Sequence, residues 1–146
     1  MFDKTLSPFA KPLLSKMAIY AVKIGVSADA ASILGFITGI VAAFLVGYGH
    51  FLLALLFFSL NRILDGLDGA IARVKIPTNR GAFLDIVFDF IIYSSIPFAF
   101  AVFNDKNSFV ACFIIFSFVG TGTSFLAYGI LQEKVSKKNK KPTGEK

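Results

Sequence analysis

The sequence predicts an all-α integral membrane protein, with four transmembrane helices preceded by an N-terminal interfacial helix. Three observations carry this. Of the 146 residues 55% are hydrophobic and only 16% charged, with a mean hydropathy of +0.72; soluble domains run near 25% charged and disordered chains are poorer still in apolar residues. Four apolar stretches reach the roughly 20 residues that a helix rising about 1.5 Å per residue needs to cross a core about 30 Å thick. Finally, the cations gather on alternate connections. The net charge of +6 therefore reads as topology and lipid-surface contact rather than nucleic-acid binding.

The elements follow in order. Residues 1–29 mix Leu6, Phe9, Leu13, Leu14, Met17, Ile19 and Val22 with Lys4, Lys11, Lys16 and Lys23. That is too charged to cross the bilayer and lacks the uninterrupted apolar core of a signal peptide. It reads as an interfacial helix, or else as a basic lead-in that sets topology. The spans fall at residues 30–48, 51–72, 81–103 and 109–131, and together make a membrane domain over 30–133. Gly47-Tyr48-Gly49-His50 permits only an antiparallel hairpin between the first two. Pro77, Thr78 and Asn79 break the next connection, residues 73–80, and Asn104-Asp105-Lys106-Asn107 makes the third. Pro97 should bend span three and free the Tyr93 carbonyl, with Ser94 and Ser95 as candidates to solvate it. Span four carries Ser117, Thr121, Ser124 and Tyr128 on one face, an acceptor-pocket lining or a set of interhelical hydrogen bonds. A basic tail, residues 134–146, closes the chain. Cys112, the single cysteine, lies in an apolar run and excludes a disulfide or cysteine metal site within one chain.

Lys4 to Lys23, then Arg73, Lys75 and Arg80, then the lysines from Lys134 onward share one side, and the other side offers only Lys106. The positive-inside rule makes both termini and the middle loop cytoplasmic, as expected of a protein in a bacterial inner membrane.

The chemistry lies in four aspartates. A charge at membrane depth costs several kcal/mol on lenient scales, about 3 per residue at the helix centre, so an intramembrane Asp is functional by default. At about 100° per residue, Asn61, Asp65, Asp68, Gly69 and Ala72 share one arc of span two, with Arg73 at its margin; Gly81, Asp85 and Asp89 stack on span three. Helical rise places all four aspartates about 5 to 12 Å inside the cytoplasmic boundary. Facing carboxylates repel or take up protons unless divalent cations neutralise them, and only Arg62 lies near them within the membrane. All-oxygen ligands favour Mg²⁺, Mn²⁺ or Ca²⁺ over zinc, and two such ions suit in-line phosphoryl displacement. Gly69, Ala72 and Gly81 allow close approach of helices or of a ligand phosphate. Arg73 reads as a phosphate partner or an interfacial anchor.

These residues resemble the signature of the CDP-alcohol phosphotransferase family, D-x-x-D-G-x-x-A-R followed by G-x-x-x-D-x-x-x-D. Asp65, Asp68, Gly69, Ala72, Arg73, Gly81, Asp85 and Asp89 fill its fixed positions, although the spacer of residues 74–80 is one residue shorter than usual. The resemblance implies transfer of a substituted phosphate from CDP-diacylglycerol or another CDP-alcohol to a hydroxyl acceptor, releasing CMP, in phospholipid biosynthesis. It implies two Mg²⁺ or Mn²⁺ ions, the first on Asp65, Asp68 and Asp85, the second on Asp65, Asp85 and Asp89. Asp89 is the implied general base, Gly69, Arg73 and Thr78 the implied CDP contacts, and residues 27–32 the segment closing over the nucleotide. The family bundle has six helices, and the chain supplies the first four of them. Three readings stay open: a truncated form, a non-catalytic family member, or a chain active only as an oligomer such as a homodimer. From another class, a divalent-cation carrier would use the same acidic layer; the apolar residues 53–58 and 96–103 argue against a conducting path.

Overall fold

A computed structural model describes residues 3–139. It contains α1 (Asp3–Lys23), α2 (Ala28–Gly47), α3 (Phe51–Val74), α4 (Asn79–Phe103), one 3-10 turn (Asp105–Asn107) and α5 (Ser108–Asn139), with no strand among the described residues. Residues 140–146, most of the basic tail, lie outside the described part.

Local chemistry fixes the ends of these helices. Gly25 and Gly49 adopt φ of +85° and +79°, the left-handed conformation that costs glycine nothing. Each closes a Schellman motif: Gly25 N–H donates to Val22 O and Val26 N–H to Ala21 O, and Gly49 and His50 repeat the pattern on Val46 O and Leu45 O. Ser27 caps α2 by accepting from Ala30 N–H, and Thr78 caps α4 by accepting from Gly81 N–H. The caps lengthen the helices beyond the sequence expectation. Span one begins at Ala28 rather than residue 30, and the break between α3 and α4 shrinks from residues 73–80 to the four between Val74 and Asn79. At the other end α5 runs on through Glu133 and Lys134, because nothing polar need end a helix on leaving hydrocarbon.

Among the described residues, three helices are long and apolar enough to cross a membrane: Ala28–Gly47, Asn79–Phe103 and the run Asp105–Val135. The fourth expected span, α3, has 24 residues but carries Arg62, Asp65, Asp68 and Arg73 from its midpoint onward, more charge than a plain membrane span holds.

The packing is that of an apolar solvent. Of twelve buried hydrophobic residues among those described, nine are alanine, whereas Leu52 and Phe109 are 86% and 82% exposed. Small residues let backbones approach where lipid supplies no hydrophobic drive between helices. Here α2 lies against both α3 and α4, α1 crosses the charged end of α3, and α5 packs chiefly on α4. Ala18 and Ala21 of α1 meet Ala31, Ala70 and Ile71 in one cluster.

The span-four hydroxyls depart from the expectation of interhelical bonds. Ser117, Thr121 and Ser124 donate to carbonyls one turn back on their own helix, and Tyr128 pairs with Gln132. Their hydrogen bonds thus stay within α5 and bridge no helices. In α4 the buried Pro97 leaves the Tyr93 carbonyl without an amide donor, and Ser95 donates to Ile92 O, not to it.

A Cβ on Gly39 would meet Ile92 Cδ1 at 2.5 Å and Asn61 Nδ2 at 3.1 Å, whereas one on Gly120 meets nothing within 4 Å. Gly39→Val should lower stability by about 1–3 kcal/mol through overpacking. Gly120→Ala should hold stability to within about 1 kcal/mol or raise it, both measured by thermal unfolding in detergent.

Candidate functional site

Asp65, Asp68, Gly69 and Ala72 fall on one face of α3, as helical spacing requires. Across from them α4 presents Asp85 and Asp89. The carboxylate oxygens of Asp65, Asp68 and Asp85 lie within 4.8 Å of one another. Asp68 is buried and Asp65 half-buried, while Asp85 is exposed. Ser32 of α2 donates its hydroxyl to Asp68 Oδ2, so a third helix fixes the deepest carboxylate of the three.

Asp89 stands apart. Its Oδ1 pairs with Arg62 Nη2 at 2.9 Å, and its Oδ2 accepts from the Tyr93 hydroxyl at 3.3 Å. Arg62 also lies 3.7 Å from Asp65. Among the described residues neither Asp68 nor Asp85 has an ion-pair partner within 4 Å. Three carboxylates at this spacing repel by about 1–3 kcal/mol per pair between bulk-water and protein-surface dielectric limits. One partly shared guanidinium offsets little of that. The donor set is hard, all oxygen and converging, and so fits a divalent cation of the Mg²⁺ or Mn²⁺ type.

Asp68 and Asp85 open onto a groove of about 460 Å³ between the start of α2, the end of α3 and the loop before α4. Gly69, Arg73, Thr78 and Ser27 line it together with Asp68 and Asp85. A Cβ on Gly69 would meet only Arg73 Nη1, at 3.5 Å, so the missing side chain leaves open space beside the guanidinium. A Cβ on Gly81 would press Thr78 Oγ1 at 3.2 Å and Asp29 Oδ1 at 3.4 Å; Gly81 thus serves close packing at the groove wall. Asp29 bridges to Arg80 at 3.3 Å, tying the two helix starts together. Two capped helix N-termini border this groove, a setting that favours anions.

The structure thus gathers Asp65, Asp68 and Asp85 as a group, with Asp68 and Asp85 lining the groove beside Gly69, Arg73 and Thr78, while Asp89 lines one small cavity with the three and pairs with the Arg62 that also reaches Asp65. Reading the sequence missed Ser32 as the partner of Asp68 and Tyr93 as a partner of Asp89. Tyr93 was signalled by its i+4 spacing from Asp89; for Ser32, 36 residues from its partner, no local signal exists.

This geometry coincides with a family match. The model of the CDP-alcohol phosphatidyltransferase family matches residues 26–144, and the chain belongs to that family. It is 41% identical over 135 residues to the inner membrane protein YnjF of Escherichia coli (strain K12), an alignment covering 92% of this chain and 66% of YnjF. The chain therefore spans just under two thirds of that relative's length. No solved structure matches it. With three span-capable helices and an inner membrane relative, the chain is an integral membrane protein.

The acid cluster makes a prediction that needs no ligand. In chelator at pH 8, Asp85→Asn should raise the thermal midpoint by roughly 2–4 °C, the shift expected for about 1 kcal/mol in a chain of this size, because it removes repulsion from Asp65 and Asp68.

Proposed function

We propose that this chain transfers a phosphatidyl group from CDP-diacylglycerol, or a related group from another CDP-alcohol, to a hydroxyl acceptor with release of CMP, in phospholipid synthesis. The observation that carries the reading is the clustering of Asp65 with Asp68 and Asp85, the latter two lining a groove whose wall holds Gly69, Arg73 and Thr78.

Asp65, Asp68 and Asp85 would hold one Mg²⁺ or Mn²⁺ ion, and Asp65, Asp85 and Asp89 a second. When bound, such ions neutralise the diphosphate and clamp the attacking and leaving oxygens. The chain's own residues do the rest. Gly69 leaves room for the diphosphate at the helix surface. Arg73 faces the same space with a guanidinium suited to two phosphate oxygens. The Thr78 hydroxyl oxygen accepts from Gly81 N–H, which leaves its proton free to donate to the nucleotide. Asp89 takes the proton of the acceptor hydroxyl as the acceptor oxygen bonds to the phosphorus next to the lipid. The bond from that phosphorus to the CMP oxygen breaks, and CMP leaves with the electron pair.

A lipid donor suits the surroundings. Tyr93, beside Asp89, also lines an apolar groove of about 560 Å³ formed with Phe51, Phe58, Ile96, Phe100 and Phe118. Nucleotide groove and apolar groove thus lie on opposite sides of the acids, one polar and one matched to hydrocarbon. Lys23, Arg73, Lys75 and Arg80 cluster at the nucleotide end, which we assign to the cytoplasm, with both termini there. In this arrangement α3 is the fourth span, α1 lies in the interface, and the tail from Lys134 contacts anionic lipid.

The test is CMP release from CDP-diacylglycerol by the purified chain in nanodiscs, given glycerol phosphate, inositol phosphate and serine as acceptors. Turnover should require Mg²⁺ or Mn²⁺ and vanish with chelator. Asp89→Asn should reduce it at least about 100-fold, the lower range for loss of a general base. No turnover by the folded chain with any acceptor would sink the enzyme reading and favour a non-catalytic family member.

A further inference from the structure

We propose that Arg62 and Tyr93 form a clamp that orients the Asp89 carboxylate, making both of them positioning residues for the transfer; this rests on the reading of Asp89 as the base. The clamp is built from three helices. Arg62 Nη2 donates to Asp89 Oδ1 at 2.9 Å and Nη1 to the Tyr93 hydroxyl at 2.8 Å, while that hydroxyl donates to Asp89 Oδ2. Both carboxylate oxygens are therefore engaged by one connected pair of donors. Arg62 is itself held. Its Nε donates to Asn61 Oδ1 at 2.8 Å, and the buried Asn61 donates through Nδ2 to Gly35 O of α2 at 2.8 Å. The rings of Tyr93 and Phe58 lie 5.1 and 5.7 Å from the guanidinium carbon, within the range of cation–π attraction.

Each link limits rotation of the next, from the α2 backbone through Asn61 and Arg62 to Asp89. A carboxylate that must meet one hydroxyl proton gains from such restraint, because small misplacements of a reacting group cost large factors in rate. The arrangement also separates the four acids. Among the described residues Asp68 and Asp85 have no ion-pair partner, and Arg62, 3.7 Å from Asp65, makes its closer contact, 2.9 Å, with Asp89. Lysine would keep the charge at position 62 without the planar fork that reaches two partners at once.

The experiment compares wild type, Arg62→Gln, Arg62→Lys and Tyr93→Phe in nanodiscs with CDP-diacylglycerol and whichever acceptor supports turnover. It also follows Mn²⁺ affinity by electron paramagnetic resonance and thermal midpoints in chelator. Arg62→Gln should lower kcat about 30- to 100-fold, with KM for the donor and tight Mn²⁺ binding within about threefold of wild type. Tyr93→Phe should lower kcat about three- to tenfold, and Arg62→Lys should stay at least about tenfold below wild type. Midpoints of Arg62→Gln, Asp89→Asn and the double variant should be non-additive. Full activity in Arg62→Lys would overturn the clamp in favour of simple charge. A raised KM at constant kcat would overturn it in favour of substrate binding, and additive midpoints would remove the contact itself. Should Arg62→Gln fail to fold, unchanged kcat in Tyr93→Phe overturns the proposal by itself. Wild-type chain that turns over no acceptor overturns the enzyme reading, and the clamp's role with it, a result distinct from an active wild type with indifferent variants.

Discussion

Three carboxylates whose oxygens lie within 4.8 Å of one another push apart, and the rest of the bundle is arranged to prevent them from separating. Repulsion of this kind can be held only by helices that do not slide or splay. The restraint comes from backbones in close approach: Gly35 accepts from Asn61, Gly39 has no room for a Cβ, and Ala31 and Ala70 meet in the core. Ser32 adds a hydrogen bond from α2 directly to the deepest acid. In this sense α2 carries no charge of the acid cluster yet determines where its charges stand.

How much of this was legible beforehand depends on distance along the chain. Asp65 with Asp68, and Asp85 with Asp89, could be placed on helix faces because periodicity is a local property, and their meeting at one depth followed from helical rise. The partition among them did not follow. Arg62 sits three residues from Asp65 and 27 from Asp89, yet its shorter contact, 2.9 Å against 3.7 Å, is with the distant one. Only the juxtaposition of α3 and α4 decides that. The hydroxyls of α5 show the converse: a polar stripe legible in the sequence suggested a partner, but Ser117, Thr121 and Ser124 satisfy themselves on their own carbonyls. Capping lay between these cases. Ser27, Thr78 and Gly49 stood in stretches recognisable as turns, while the extra residues they add to each helix came from hydrogen bonds too specific to foresee.

Polarity is distributed unevenly along the helices. The groove with Arg73, Lys75 and Thr78 opens at one end, and beyond the acids the outer half offers an almost wholly apolar groove around Phe51, Phe58 and Phe100. A path for ions would need polar lining on both sides of the acids. A molecule with a charged head and hydrocarbon tails needs the asymmetry that is present. The charges on α3 and on the loop and start of α4 gather toward the end that carries the groove, while Asp105 and Lys106 mark the other end.

The acids are therefore not four equivalent groups. Were all four to converge with no cation among them, each added carboxylate would raise the repulsion on the others, and every helix contact near Asp68 would have to resist it. Pairing Asp89 with Arg62 withdraws one charge from that sum, and Tyr93 and Asn61 satisfy the remaining donors and acceptors that burial would otherwise strand. What remains is a three-acid group with unmet demand for positive charge, next to a single carboxylate whose charge is already balanced and whose direction is fixed. The first condition suits the capture of a hard cation, and the second fixes the direction of a carboxylate that must meet one partner atom in a set geometry. The difference arises from one arginine on the same helix as two of the acids.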